Sequence, residues 1–307
     1  VIEFPGERRV TLIGHNHGDR EVPHRLSRWA AQPLDAMTTD AWLSELEGLL
    51  AENAKAREHA KQDLAFLRST LWTSETPIFV AVESMEGAVA TAVGQAETFT
   101  GDLNRQICQR PPGDTAPLRD AELLFMGAAV FSYLHDPELR PKYELLGIET
   151  DKEAVDLQAR GKKTMRLAED RLGTLMASRE VDEDALKKYM QRVVDLLNEG
   201  YKDIGNILVY DHTVIRERLE NWAEEDKDVR GAVYSYLFGY LDFLRGMKRR
   251  DVAIMRALAS QERPGVLFIG EEHLDSLIPL VEMQCGRPLP AEGELKEPDV
   301  LKQIPEL

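Results

Sequence analysis

The chain has 307 residues, 43% apolar and 30% charged, with a formal net charge of −16. Its length allows one large domain or two small ones, with enough apolar side chains for a sizeable core. The acidic balance argues against a nucleic-acid or anionic-membrane surface, which needs a basic patch, and two cysteines, Cys108 and Cys285, imply no disulfide framework.

In chain order, Glu7 to Gly14 reads as a first strand running directly into His15-Asn16-His17-Gly18-Asp19. A polar loop punctuated by Pro23 and Pro33 follows. From Thr39 to Leu71 the spacing predicts helix, with Trp42, Leu46, Leu49, Leu50, Asn53, Leu64 and Leu67 near one face and Thr38, Thr39 or Asp40 as caps. Pro77 to Glu83 is a second strand with a carboxylate at its exit. An Ala- and Gly-rich helix over Ser84–Thr100, a loop at Arg110–Asp114 and an apolar helix over Asp120–Leu134 come next. Tyr143 to Glu149 is a third strand. Helical stretches then fill most of Lys152–Ser260, and Pro264 to Gly270 is a fourth strand before a closing helix, Leu274–Cys285.

Strands separated by helical stretches predict an α/β fold with a mainly parallel central sheet, covering helices and a long helical insertion before the last core strand. The expected organisation is one α/β domain over 1–286, with 152–260 as a helical insertion or layer. The Pro-containing tail, 287–307, is expected to be extended or partly disordered. No apolar stretch reaches transmembrane length and no signal peptide is visible, so a cytoplasmic location is expected; the opening at Val1, with no Met, is compatible with a removed leader.

Each strand ends in groups that can do chemistry. The first and fourth both spell Gly-x-x-His, as Gly14-His15-Asn16-His17 and Gly270-Glu271-Glu272-His273. The others end in Glu83 and Glu149. One Gly-x-x-His alone is a common pattern; two at matching strand ends predict one site built by two neighbouring strands. In an open α/β sheet that site lies beyond the carboxyl ends of the strands. Imidazole there can ligate a metal or act as a base near neutral pH. A carboxylate at an apolar border is partly desolvated unless it meets a cation, a metal or a donor. Each residue also has a blander reading: loop histidines that cap, a His273 that caps the closing helix, a Glu83 or Glu149 that bridges ions, and Asp151 as the N-cap of the next helix. Lys248-Arg249-Arg250-Asp251 can supply a guanidinium to clamp an anion, or can be a solvated charge cluster.

With these motifs the chain resembles the broad superfamily that includes TraB/PrgY, the Tiki proteins, the ChaN-like proteins and the erythromycin esterases. Gly14-His-Asn-His17, Glu83, Leu146-Gly-Ile-Glu149, Arg250-Asp251 with Met255, and Gly270-Glu-Glu-His273 carry the resemblance, in the same order along most of the chain. It departs in the extra His15, in the spacing from Arg250-Asp251 to Met255, and in Glu149 where the esterase-like pattern has Asp. The resemblance implies an α/β core and His17, His273 and Glu83 as functional residues, with Arg249 or Arg250 as the helix arginine. Its members divide between metal-dependent peptidases, metal-free esterases and haem-binding proteins.

The expected function is therefore a hydrolase of an ester or amide bond in a small molecule or peptide. In a metal-dependent version, His17, Glu83 and His273 hold a divalent ion and Glu149 or Glu272 takes the proton. In a metal-free version, a histidine is the base and a carboxylate orients it. Arg250 stabilises developing negative charge in both. The alternative is a ChaN-like binding protein with His15 or His273 as a haem ligand. No nucleic-acid or membrane partner is expected, and a homo-oligomer is compatible with the sequence.

Overall fold

The computed structural model describes residues 1–4, 8–15, 21–85, 88–178, 183–200, 219–221, 223 and 229–286. Five strands form one sheet: β1 (Ile2–Phe4), β2 (Arg8–His15), β3 (Ile78–Met85), β4 (Tyr143–Glu149) and β5 (Gly265–Gly270). Their spatial order is β1-β2-β5-β3-β4. β1 is antiparallel to β2, and every other pairing is parallel. The expected α/β architecture with a mainly parallel sheet is thus what the chain adopts. β5 lies between β2 and β3 and is buried along its whole length. A strand covered on both faces reads as an unbroken apolar run, which is the pattern of Val266-Leu-Phe-Ile269.

Alternation along the strands divides the sheet into two faces. Ile78, Val80, Val266 and Phe268 share one face and pack with helices α3 (Ala54–Thr73) and α5 (Ala116–His135) through Leu64, Leu67, Leu71, Leu123 and Phe131. A second core lies among helices alone: α1 (Val22–Ala30), α2 (Thr39–Glu52), α4 (Ala88–Gln109) and the first half of α5. There Trp29 and Trp42 stack at 4.4 Å between ring centroids, and each indole N–H donates to the other residue's carbonyl. Two residues steer helices from one core to the other. Asn53 (φ −111°, ψ 27°) separates α2 from α3, so the helix expected from Thr39 to Leu71 is two helices serving two cores. Gly127, at φ +71°, breaks α5, a conformation that costs glycine nothing.

Two elements carried too little signal for the sequence reading. β1 is only three residues long, and α1 occupies what reads as a polar loop because Pro sits in its first turn, where proline is tolerated.

By internal contacts the chain divides into two units, Val1–Glu149 with Ala257–Ile278, and Thr150–Arg256 with the stretch from Pro279. The second contains α6 (Lys152–Ser178), α7 (Glu183–Gly200) and most of α8 (Val229–Ser260). Asp151 caps α6, its Oδ1 accepting from the Ala154 N–H at 2.9 Å. α6 and α8 run antiparallel and meet along glycines. A methyl group on Gly161 would lie 2.4 Å from Phe243 N, and one on Gly246 would lie 2.5 Å from Gln158 N. The expected tail, 287–307, falls outside the described residues. No described helix is long and apolar enough to cross a membrane.

Candidate active site

β2 and β5 are hydrogen-bonded neighbours, so the two Gly-x-x-His motifs begin side by side: Gly14 pairs with Ile269 and His15 with Gly270. β5 passes without a loop into α9 (Glu271–Gly286), which places His273 in the first turn of that helix. Gly14 lies against the same turn. A Cβ there would stand 2.4 Å from Leu274 Cδ1 and 3.4 Å from Glu271 Cα. Glycine at this position therefore serves the close approach of strand and helix.

Glu83 reaches this point through an irregularity in β3. The β3–β4 register runs regularly from Ile78↔Tyr143 to Val82↔Gly147 and resumes one residue out of step at Met85↔Glu149. Two β3 residues, Glu83 and Ser84, thus oppose the single Ile148, which is a β-bulge. Bulges re-aim side chains and are over-represented beside active sites. The Glu83 carboxylate turns toward β5: Oε2 accepts from the Gly270 N–H at 2.8 Å, and Oε1 lies 3.5 Å from His273 Nε2. Gly270 closes β5 immediately before α9, so the carboxylate stands at that helix's N-terminus, where the unpaired N–H groups and the dipole favour an anion. Both partners are nearly dry, with side-chain exposures of 12% for Glu83 and 1% for His273.

The other expected residues divide by location. Glu149 ends β4 beside Met85 and is buried. His15 ends β2, and Glu272 lies in the first turn of α9. His17 falls outside the described residues. Arg250 belongs to the second unit, where it is buried and its Nη1 donates to Gln158 Oε1. Asp251 beside it is fully buried. Arg249 pairs with Asp151 at 2.9 Å and Glu153 at 3.5 Å. Asp151 thus takes the capping role its blander reading gave it. Two participants escaped the sequence reading, the Gly270 amide and the β3 bulge, as did the Gln158 partner of Arg250 in the second unit. A backbone donor and a register shift leave no mark in residue identity, and Gln158 reads as one more polar residue on a long helix.

A histidine–carboxylate contact is not by itself diagnostic. His135 Nε2 lies 3.5 Å from Glu122 Oε1, which also accepts from Thr100 Oγ1. That pair belongs to the two halves of the broken α5. A cleft of about 590 Å³ beside it is lined by Arg68, Trp72, His135 and Asp136, next to the amino ends of β3 and β4 and hence at the opposite end of the sheet from Glu83. The Glu83–His273 pair differs in standing at the carboxyl ends of parallel strands, in being drier, and in being held by a bulge.

The donors at this pair are compatible with a divalent ion. One imidazole nitrogen and one carboxylate oxygen 3.5 Å apart are close to the ligand–ligand separation of roughly 3.3 Å in a tetrahedral zinc site. Among the described residues, no group of three or more His, Cys, Asp or Glu has the geometry to hold a metal. No protein-family model, curated protein or solved structure matches the chain.

Proposed function

We propose that the protein is a hydrolase of an ester or amide bond, of the TraB/PrgY–Tiki–ChaN–erythromycin esterase-like kind, with Glu83 and His273 as its acid–base centre. The observation that carries this reading is the dry carboxylate–imidazole contact, fixed at the carboxyl edge of a parallel sheet by a bulge on one strand and by the helix N-terminus after another. Glu83 is the more exposed member, so its carboxylate meets the attacking water and takes a proton. His273, buried behind it, faces Oε1 through Nε2 and steadies the carboxyl charge, and Glu83 gives the proton to the leaving group as the ester or amide bond breaks. The Gly270 N–H holds the second oxygen and thereby fixes the carboxylate plane. Positioned acid–base groups of this sort contribute about 10²–10⁴-fold to rate.

In the metal-dependent version His17, Glu83 and His273 would hold the ion, which when bound supplies Lewis-acid activation of water. Glu149 enters the reading only as a proton-accepting candidate. The test is turnover on panels of nitrophenyl esters and peptides, with and without chelator, for the wild-type protein and for Glu83→Gln and His273→Gln. Turnover lowered at least about 100-fold in both variants, with circular dichroism unchanged, supports the centre. Equal rates in wild type and variants, or no turnover on either panel, would overturn it. Loss on chelation together with one equivalent of bound metal selects the metal-dependent version, and chelator-insensitive turnover the metal-free one.

A further inference from the structure

The close approach of α6 and α8 gathers positive charge on one flank of the pair. Gly161 and Gly246 let the backbones touch, and the side chains beside them converge: Arg160 and Lys163 from α6, Arg245 and Arg249 from α8. Together with Glu153 and Asp156 they line a groove of about 750 Å³, a size that suits a small molecule. Arg249 is engaged by Asp151 and Glu153. Among the described residues Arg160, Lys163 and Arg245 have no hydrogen-bond or ion-pair partner; Arg245 is half-buried, and Arg160 and Lys163 are exposed. Four cations and two acids, Glu153 and Asp156, line the groove, an excess of positive charge in a chain of net charge −16.

The alternative is a solvated set of surface cations. Against it, the cations come from two helices whose backbones touch at Gly161 and Gly246, so their stems stay within reach of one groove however the side chains rotate. Such an arrangement is relieved by an anion that bridges the helices. Residues three and four apart on a helix stand about 5–6 Å from each other, so each helix offers two adjacent cationic positions. The planar guanidinium groups match phosphate oxygens two at a time.

We propose that this groove binds an organic ligand through a diphosphate group, with Arg160 and Lys163 on one side of it and Arg245 on the other. Titration calorimetry at low ionic strength with inorganic pyrophosphate, ADP and citrate tests this. Saturable 1:1 binding of pyrophosphate and ADP is expected, weakened by added salt. The double variant Arg160→Gln/Arg245→Gln should weaken it at least about tenfold, since two charge-assisted contacts are lost. Arg28→Gln, an exposed arginine on α1, should leave it unchanged. In the wild-type protein, pyrophosphate should protect Arg160 and Arg245 from phenylglyoxal labelling read by mass spectrometry, a result that needs no variant to fold. Absence of saturable binding, affinity unaltered in the double variant, or unprotected arginines would overturn the site. Citrate bound as tightly as pyrophosphate would overturn the diphosphate assignment.

Discussion

Replacing Gly161 with Ala should destabilise the protein, although the same change elsewhere on α6 should stabilise it. Alanine is favoured over glycine in a helix interior by about 1 kcal/mol. At Gly173, on the same helix, an added methyl meets nothing within 4 Å, so Gly173→Ala should gain roughly 0.5–1 kcal/mol. At Gly161 the methyl would stand 2.4 Å from Phe243 N, 2.5 Å from Gly239 O and 2.9 Å from Phe243 Cα. All three neighbours are backbone atoms, so no side-chain rotation relieves the overlap. The helices must separate by about 1 Å to restore van der Waals contact, which also loosens the seam at Gly239 and Gly246. Overpacking costs typically about 1–3 kcal/mol, and a rigid contact belongs at the upper end. The net expectation is a loss of about 1–2 kcal/mol for Gly161→Ala, so the two variants should differ by about 2–3 kcal/mol. Urea midpoints for both, with amide exchange across α6 to localise the effect, measure this. Gly161→Ala as stable as Gly173→Ala would refute the backbone-contact seam.

Further outcomes follow from single contacts. Glu83→Ala strips the Gly270 N–H and the buried His273 of their acceptor, at a cost of about 1–3 kcal/mol, whereas Glu83→Gln keeps an acceptor and should cost less; urea midpoints in the reverse order would sink that reading. Burial pushes the Asp136 carboxyl up, but hydrogen bonds from Arg68 and Ser132 and the Arg68 charge outweigh it, leaving the group below its ordinary value. A depressed carboxyl stabilises the fold above its unfolded pKa of about 3.9, and that contribution is lost as pH falls through the lower folded value. The stability gap between wild type and Asp136→Asn should therefore narrow between pH 6 and pH 3; a constant gap would contradict it. Asp151→Ala should remove about 1 kcal/mol and speed amide exchange in the first turn of α6, and Asp151→Asn should restore most of the cap. Unchanged exchange in Asp151→Ala would show that the cap contributes nothing.

The sequence by itself determined the four parallel strands and their chain order, because each is a short apolar run that the burial of both sheet faces requires. It also marked the strand ends where chemistry collects, since carboxylates and imidazoles such as Glu83, Glu149 and His273 are costly inside an apolar run and stand out at its border. Asp151 was legible as a cap because that role depends only on neighbours three residues away. Tertiary structure decided what depends on partners far along the chain. Only it set β5 between β2 and β3, shifted the β3 register so that Glu83 turns to Gly270 and His273, and divided the helix from Thr39 to Leu71 between two cores at Asn53. It also gave Arg250 to Gln158, within the second unit. The distinction is physical: burial pattern and capping act over a few residues and are written in local residue types. Register, bulges and helix–helix contact are settled by surfaces that meet only once the chain is folded.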